Sequence, residues 1–381
     1  MKILLLINSL YTGGSEFSSL SLYGWLKEKH NVEIKVVCLK KANPEFNFNE
    51  FGIKEVIILQ ESSFLSKLKE LKSLVLEFEP NILHSVLFEA NILGRFLRFN
   101  TKNIIHVESL VTEMYSDFKL NDPHINRMKL EFYRLLDFIT QIKGVDHYHA
   151  NGYSVANHYK QKLNIGNSRM SVITRGRKRN EYLQNFKKID QIRNEFGAGD
   201  KIILINVARH DFQKAQDVLI EAIVQLNEFH DKFLLLLVGR PGQLTSTIIK
   251  KIENFNLQDS VRILGHRSDV NELLAASDIF LFPSRFEGLS GALIEAEAAG
   301  LPIICSDISN NLEVIENNVN AITFKVDDAK DLSSKIKNLI LNLEKRKSMG
   351  ENSLKIYNDK FRIDQAHERM HGMFKILINN N

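Results

Sequence analysis

Two glutamates, Glu287 and Glu295, lie eight positions apart around a glycine-bearing loop. The apolar run at 279–282 predicts a buried strand before the loop, and residues 292–299 predict a helix that Ser290 caps. The first turn of a helix presents free backbone N–H groups, which favour the binding of an anion. Carboxylates beside such a place accept hydrogen bonds from sugar hydroxyls. The stretch therefore predicts a site for a sugar nucleotide.

The segment 279–300 resembles the signature of the GT4 family of retaining glycosyltransferases, which have the GT-B fold. The resemblance rests on Pro-Ser-Arg-Phe-Glu-Gly followed by Ile-Glu-Ala-x-Ala-x-Gly, with seven residues between the two glutamates. In that family the first glutamate holds hydroxyls of the donor sugar and the second holds the nucleotide ribose. The resemblance gives these roles to Glu287, also a catalytic candidate, and to Glu295. Its other donor-binding candidates here are Gly288, Leu289, Ser290, Gly291 and Leu293.

Two cations stand in a second segment, 205–215, which resembles the family's Gly-Arg-…-Lys-Gly element. The resemblance implies that Arg209 and Lys214 hold the donor diphosphate and are catalytic. Arg209 lies just past a predicted strand end and Lys214 precedes the next helix, so both can reach one anion. Ala208 and Ala215 replace the family's usual glycines, which puts the loop geometry in doubt more than the charge.

Backbone-rich loops complete the expected donor site. The loops at Gly239 and His266 resemble those with which the family holds the base. Gly13 and Gly14 follow the first predicted strand, and the resemblance implies that their backbone approaches the donor phosphates. That loop lacks the G-x-G-x-x-G fingerprint, which argues against a dinucleotide-binding protein.

Three polar residues in the first half resemble the family's acceptor side. His84 ends a predicted strand and is an acceptor-binding candidate. His106 and Glu108 are catalytic candidates, and Glu108 is also an acceptor-binding candidate. Which of these two matches the family's sugar-facing residue depends on a shift of two residues, which stays open. Both side chains of a strand at that spacing point to the same face.

No metal or other cofactor is expected. His147 and His149 share a strand face but have no third ligand nearby in the sequence, and the sequence contains no Asp-x-Asp. A transferase without that carboxylate pair must stabilise its leaving diphosphate with protein cations and a helix N-terminus.

Composition bounds the protein class. At 381 residues the chain is too long for one ordinary core, which predicts two domains. The net charge of +4 argues against a nucleic-acid partner and is compatible with an anionic membrane surface. Two cysteines support neither a disulfide framework nor a cysteine-rich zinc site, which favours a reducing cytoplasm. The sequence lacks a run of 18 apolar residues, so any membrane contact is expected to be peripheral.

Strands alternate with helices along the whole chain, which predicts an α/β fold with doubly wound parallel sheets. The predicted domains are an acceptor-binding Rossmann-like domain at 1–178 and a nucleotide-sugar-binding one at 179–362, with ligands in the cleft between them. The segment 363–381 predicts a helix with an apolar stripe. The family resemblance suggests that this helix crosses back to the first domain, and packing on its own domain is the alternative.

The expected function is transfer of a sugar from a nucleoside diphosphate sugar to a saccharide or lipid-linked acceptor, in bacterial cell-surface polysaccharide or glycolipid synthesis. A cytoplasmic location, peripheral on the inner face of the membrane, fits this function, through Lys40-Lys41 and the helix at 95–98. Two alternatives stay open: a nucleotide-sugar epimerase of the same fold and a non-catalytic sugar-nucleotide-binding subunit. The sugar, the base, the acceptor and the oligomeric state cannot be read from these residues.

Overall fold

The computed structural model describes the chain except residues 11–12, 41–46, 61–62, 102 and 381. The chain forms two compact units. The first comprises Met1–Ser116, His124–Arg175 and the residues from Asp364 onwards, and the second comprises Asp117–Pro123 and Gly176–Ile363. The main change of unit lies between Arg175 and Gly176, three residues before the predicted boundary.

Each unit contains one parallel sheet. The strands of the first are β1 (Lys2–Ile7), β2 (Glu33–Cys38), β3 (Ile57–Ile58), β4 (Ile82–Val86), β5 (Ile105–Leu110), β6 (His147–Ala150) and β7 (Met170–Val172). Those of the second are β8 (Ile202–Val207), β9 (Phe233–Val238), β10 (Val261–Gly265), β11 (Ile279–Phe282), β12 (Ile303–Ser306) and β13 (Ala321–Phe324). The orders are β3-β2-β1-β4-β5-β6-β7 and β10-β9-β8-β11-β12-β13, and the paired strands run parallel.

Helices connect these strands. In chain order they are α1 (Gly14–His30), α2 (Phe64–Phe78), α3 (Phe88–Phe99), α4 (Asp117–Leu120), α5 (Arg127–Gly144), α6 (Tyr153–Leu163), α7 (Phe186–Glu195), α8 (Gln216–Val224), α9 (Thr245–Asn254), α10 (Val270–Ala275), α11 (Gly291–Ala298), α12 (Ser309–Leu312), α13 (Ala329–Ile340), α14 (Leu343–Lys360) and α15 (Ile363–Asn379). Among the described residues, none of the helices has both the length and the apolar character that crossing a membrane requires.

The first sheet is covered by helices on both faces because β1 is apolar at successive positions. Ile3, Leu5 and Ile7 pack in one buried cluster with α1 and α15. Leu4 and Leu6 point the other way and pack with α2 and α3. A strand buried on both faces is typical of a parallel sheet between two helical layers.

The second sheet repeats this arrangement around β8. Ile203 and Ile205 pack with α10, α11 and α14, whereas Leu204 packs with α8, α9 and α13. The predicted fold class, two doubly wound Rossmann-like parallel sheets, is therefore confirmed.

The apolar stripe of α15 completes the core of the first unit. Met370, Met373 and Phe374 are buried in the same cluster as Leu20 and Tyr23 of α1. Apart from its first residue, α15 therefore belongs to the first unit, although residues 176–363 separate it from the rest of that unit in the sequence.

Candidate active site

Arg209 lies immediately after β8, at the carboxyl edge of the second sheet. Gln216 is buried, and its side-chain amide donates to the carbonyl of Arg209 at 3.1 Å and to Asn206 Oδ1 at 3.3 Å. This fixes the backbone at Arg209. The guanidinium itself pairs with Asp211, and the Arg209 side chain is 63% exposed. A fixed backbone with an exposed cation suits a group that must turn towards an arriving anion.

Lys214 and Glu287 form an ion pair that joins two loops of the second unit. Lys214 Nζ donates to Glu287 Oε1 at 2.5 Å and lies 5.5 Å from the ring centroid of Phe282. Between the same loops, the side-chain amide of Gln213 donates to the carbonyl of Phe286 at 2.8 Å. The sequence brought Lys214 and Glu287 together only through the family resemblance, whereas the structure pairs them directly.

Arg285 anchors the loop that carries Glu287, a role that sequence reasoning missed. Its guanidinium binds the Asp217 carboxylate at 2.8 and 3.2 Å and Asp327 at 2.7 Å, and it donates to the carbonyl of Phe212 at 2.7 Å. Burial alone would lower the pKa of Arg285, but the paired carboxylates raise it above its ordinary value. Arg285 therefore stays charged and holds the loop in one position.

The helix α11 begins as the sequence predicts, with Ser290 as its cap. Ser290 Oγ accepts from the backbone N–H of Leu293 at 3.4 Å. Leu293 and Leu289 are buried in the core of the second unit, so they anchor this turn through packing. Gly288 lies in the loop between Glu287 and the cap, with the start of α11 directly after it.

Arg177 packs against the start of α11. Its Nε donates to Glu295 Oε1 at 2.6 Å, and its side chain is only 7% exposed. A Cβ at Gly291 would lie 1.9 Å from a guanidinium nitrogen of Arg177, so only glycine leaves room for this contact. The backbone N–H of Arg177 donates to Phe361 at 2.9 Å, and its carbonyl accepts from the hydroxyl of Tyr357 at 3.0 Å.

Three of the ion pairs in the second unit involve candidate ligand residues: Arg209 with Asp211, Lys214 with Glu287, and Arg177 with Glu295. Each cation is neutralised by a carboxylate. A bound diphosphate would bring negative charge for Arg209 and Lys214, and the Glu287 carboxylate would then be available to sugar hydroxyls. The arrangement can therefore exchange internal partners for those of a sugar nucleotide.

The two alanines that replace family glycines have different surroundings. Ala215 has a φ of 52° and a ψ of 36°, the left-handed conformation that favours glycine. The turn that the family forms with glycine is therefore present here, although alanine adopts this backbone conformation less readily than glycine does. Ala208 adjoins Gly239, whose φ is 154°, and a Cβ at Gly239 would lie 2.0 Å from the Ala208 carbonyl oxygen. Glycine is required at 239 because the two loops touch there.

His266 is exposed, directly after β10. The loop before it is tied to the loop at Gly239, whose N–H donates to the carbonyl of Gly265 at 2.8 Å. The two loops predicted to hold the base are therefore neighbours at one edge of the second sheet.

Glu108, in the first unit, lies in a buried ion-pair network. Arg95 donates to its carboxylate at 2.5 and 2.7 Å, and to Asp137 at 2.8 Å and Thr140 at 2.9 Å. Arg95 is 1% exposed and Glu108 is fully buried. Burial raises the pKa of Asp137, and the charge of Arg95 opposes that shift. These contacts give Glu108 a structural role in the first unit, and its predicted contact with acceptor or donor stays a prediction.

His106 is also fully buried. Its Nδ1 donates to the carbonyl of Gly144 at 2.5 Å, which leaves Nε2 to accept from the hydroxyl of Ser85 at 2.8 Å. Burial lowers its pKa. Both ring nitrogens therefore have internal partners, and the catalytic role of His106 stays a prediction.

His84 belongs to a hydrogen-bonded chain on the opposite face of the same sheet. His149 Nε2 donates to the carbonyl of Ile173 at 3.0 Å, so its Nδ1 accepts from Ser109 at 2.8 Å. Ser109 in turn accepts from His84 Nε2 at 2.7 Å, and His84 Nδ1 accepts from the hydroxyl of Tyr23. Burial lowers the pKa of His84 to about 3 and that of His149 to about 4. His84 is 2% exposed, and its acceptor contact stays a prediction.

Gly13 and Gly14 lie at the start of α1, which Gly13 caps. The carboxylate of Glu16 lies against Gly13 and accepts from Ser15 Oγ at 2.6 Å. A phosphate that approached these glycines would have to displace that carboxylate.

A family model matches part of the chain. The model of glycosyl transferases group 1 matches residues 188–356. Of the six residues that form the three ion pairs, all except Arg177 lie in this segment. This part of the second unit is similar to that family. The group 1 domain therefore coincides with most of the second unit.

Curated relatives match over part of the chain. N-acetyl-alpha-D-glucosaminyl L-malate synthase of Bacillus anthracis is 30% identical over 47% of this chain and 47% of its own length. N,N'-diacetylbacillosaminyl-diphospho-undecaprenol alpha-1,3-N-acetylgalactosaminyltransferase of Campylobacter jejuni is 34% identical over 40% of this chain and 39% of its own length. The chain is thus matched over less than half the length of these group 1 relatives.

A solved structure matches over the whole chain. Alr3699/HepE of Anabaena, crystallised in complex with UDP, superposes with a TM-score of 0.85 over 98% of this chain and 100% of that chain. The same protein has also been crystallised with UDP-glucose. At 19% identity this likeness shows the fold, which is GT-B.

Proposed function

We propose that this chain is a retaining glycosyltransferase of the GT4 type that transfers a sugar from a nucleoside diphosphate sugar to an acceptor. The observation that carries the proposal is the Lys214–Glu287 ion pair beside the start of α11. It combines a cation for a diphosphate with a carboxylate for sugar hydroxyls. Retention of the anomeric configuration rests on the family resemblance of 279–300.

The proposed chemistry concerns the leaving group. Departure of the nucleoside diphosphate leaves oxocarbenium character on the sugar and adds negative charge to the β-phosphate. Arg209, Lys214 and the N–H groups at the start of α11 would stabilise that charge. Because protein cations perform this task, we propose that no divalent metal is needed for turnover.

Glu287 and Glu295 would recognise the donor. Once Lys214 binds phosphate, Glu287 can accept from sugar hydroxyls, and Glu295 can accept from the ribose while Arg177 fixes its direction. This division of roles follows the family resemblance. Its support in the structure is that each carboxylate is held by a different cation.

Donor screening tests the proposal. UDP, GDP and ADP should be compared by thermal shift, because a ligand at a hundred times its Kd adds about 2.7 kcal/mol to the free energy of unfolding. Product analysis should follow with the sugar nucleotide of the stabilising base, with and without acceptor. Isomerisation of the donor without acceptor would indicate an epimerase, and binding without turnover would indicate a non-catalytic subunit. Nuclear magnetic resonance of the product decides between retention and inversion.

The acceptor is proposed to be a lipid-linked saccharide at a membrane surface in the cytoplasm. One relative carries diphospho-undecaprenol in its name. Part of the surface first predicted for membrane contact is not exposed. Arg95 and Leu97 are buried, and Arg98 pairs with Asp146 at 2.7 Å. Lys40 pairs with Glu89 at 2.9 Å, and Lys41 lies outside the described residues.

The exposed face of α5 is a better surface for this contact. It carries an apolar stripe at helical spacing whose members are between 56% and 82% exposed: Met128, Phe132, Leu135, Ile139 and Ile142. Lys129, Arg134 and Lys143 stand on the same helix. An apolar stripe with neighbouring cations fits an anionic membrane interface.

Sedimentation with anionic liposomes at low salt tests this surface. The double substitution Phe132→Ser and Leu135→Ser should abolish co-sedimentation, because both side chains are exposed and contribute little to the core. Phe186→Ser, at an equally exposed position on α7, serves as the matched control. Failure of the unsubstituted protein to sediment would contradict the membrane proposal and leave the donor chemistry untouched.

A further inference from the structure

The end of α1 and one side of α15 bring three metal-ligating side chains together in the first unit. His30 is the last residue of α1, and Glu368 and His371 lie three positions apart on α15. One ligand atom of each lies within 4.8 Å of those of the other two. His30 Nε2 is 3.6 Å from Glu368 Oε1, and the ring centroids of His30 and His371 are 3.8 Å apart.

We propose that His30, Glu368 and His371 bind one divalent transition-metal ion, with Zn²⁺ as the physiological type, and that this ion links α1 to α15. Two imidazoles and one carboxylate are a common zinc ligand set, with a fourth position left for water. Imidazole nitrogens favour Zn²⁺, Ni²⁺ and Cu²⁺, whereas Mg²⁺ and Ca²⁺ prefer oxygen ligands. The site is distinct from the group 1 domain, and it goes beyond the proposed transfer reaction.

Small side-chain rotations suffice to close the site. Ligand atoms bound at about 2.1 Å to one tetrahedral ion lie about 3.4 Å apart. The three atoms must therefore approach one another by at most ~1.4 Å. His30 and Glu368 are exposed and His371 is half-buried, so this adjustment requires no repacking of the core. The two helices fix the backbone positions because α15 is anchored beside α1 in the same core cluster.

Trp25 forms an aromatic wall behind the ligands. Its ring centroid lies 4.8 Å from that of His30 and 6.4 Å from that of His371. This packing restricts the imidazoles before any ion binds. It also places the chain's single tryptophan beside the site, where its fluorescence can report the ion.

A surface cavity of about 690 Å³ adjoins the ligands and gives room for water on the open positions of the ion. It is lined by Trp25, Lys29, His30, Asp364, Gln365, Glu368 and Arg369. The two cationic side chains that line the cavity, Lys29 and Arg369, contact residues other than the three ligands. Lys29 pairs with Glu28 at 2.9 Å, and Arg369 donates to Thr174 Oγ1 at 3.4 Å.

Metal titration of the full chain, without an affinity tag and after removal of metals, tests the site. Isothermal calorimetry with Zn²⁺ should give one site per chain with a micromolar or lower Kd. Co²⁺ should give the visible absorption of a site with nitrogen ligands and should quench Trp25 to saturation at one equivalent. Zn²⁺ should raise the Tm followed by Trp25 fluorescence, and Mg²⁺ and Ca²⁺ should leave it unchanged.

Substitutions localise the effect. His371→Ala and Glu368→Gln should each weaken Zn²⁺ binding at least tenfold, while His230→Ala, which removes an imidazole from the second unit, should bind as the unsubstituted chain does. Circular dichroism checks that each variant is folded. Equal Zn²⁺ affinity in His371→Ala and the unsubstituted chain would overturn the proposal. So would the absence of saturable Co²⁺ quenching in the unsubstituted chain, a result that depends on no variant.

Discussion

The candidate site residues of the two units differ in their exposure to solvent. In the second unit, the candidate groups stand on loops after strands or on the helix α11, and several keep access to solvent: Arg209 is 63% exposed, Glu295 is 31% exposed and Lys214 is 20% exposed. In the first unit, the corresponding candidates stand within strands. His84, His106 and Glu108 are at most 2% exposed.

The difference shows what separates a ligand site from a polar core. The candidate residues of the second unit have few internal side-chain partners, such as Lys214 and Gln213 for Glu287, and a ligand can replace them. The strand residues of the first unit fill their hydrogen-bonding positions inside the sheet and its helices. Removing a residue of the first kind should cost function, and removing one of the second kind should cost stability.

The largest effect is expected from a matched pair of glutamate substitutions. Glu108→Gln should destabilise the first unit by about 3–5 kcal/mol, because it removes one of the two carboxylates that pair with the buried charge of Arg95. Glu287→Gln should cost about 1 kcal/mol or less but lose activity. Urea unfolding followed by Trp25 fluorescence, together with turnover, measures both. A stable, inactive Glu108→Gln enzyme would restore Glu108 to the catalytic site.

The second largest effect is expected from acid, which should lower the free energy of unfolding of the first unit. His84 and His149 have folded pKa values of about 3 and about 4, below the ordinary 6.5, so the unfolded chain binds more protons. Their contribution to the free energy of unfolding is complete above pH 6.5 and is lost as the pH falls towards 4. Together they should remove roughly 4 kcal/mol between pH 7.5 and pH 5. An unchanged urea midpoint for Trp25 at pH 5 would contradict this.

The third largest effect is expected on turnover, when Lys214, the proposed phosphate-binding cation, is removed. Lys214→Ala should lower kcat on the order of 10²–10³-fold, the usual effect of removing a preorganised charge stabiliser. The fold should survive, because the side chain lies on a loop. EDTA should leave the unsubstituted enzyme active. Near-normal turnover in Lys214→Ala, or loss of activity in EDTA with rescue by Mg²⁺ or Mn²⁺, would refute the mechanism.

The smallest effect is expected on nucleotide affinity, which should differ between variants of Glu295 and Glu287. Glu295→Ala should weaken binding of the free nucleotide by about tenfold, the equivalent of one good hydrogen-bonded contact. Glu287→Ala should leave nucleotide affinity near normal and lower turnover with the intact donor. Calorimetric titration of the nucleotide and steady-state kinetics separate these outcomes. Equal loss of nucleotide affinity in both variants would contradict the assignment.

The sequence predicted what depends on local pattern. The strand, loop and capped helix at 279–298 are confirmed, because apolar runs, glycines and Ser290 act over a few positions. The pairing of Arg177 with Glu295 was missed because 118 positions separate them, and only the folded unit brings them together.

Burial of the first-unit candidates could not be read from the sequence for a related reason. A histidine at the end of a strand has the same local pattern whether a helix covers it or not. Arg95 of α3 donates to Glu108 and also to Asp137 of α5, so both helices contribute to the burial of Glu108. Arg95 lies outside any motif. Local pattern therefore located the polar residues but did not reveal their access to solvent.

The position of α15 in the first core has a consequence for synthesis. Met370, Met373 and Phe374 fill a core whose other members are made before residue 176. At about 5–20 residues per second, a ribosome needs roughly 10–40 s to make the intervening segment. During that interval the apolar face of α1 and β1 lacks its last covering helix. The second unit can close as soon as α14 leaves the ribosome, so the unit that begins first is completed last.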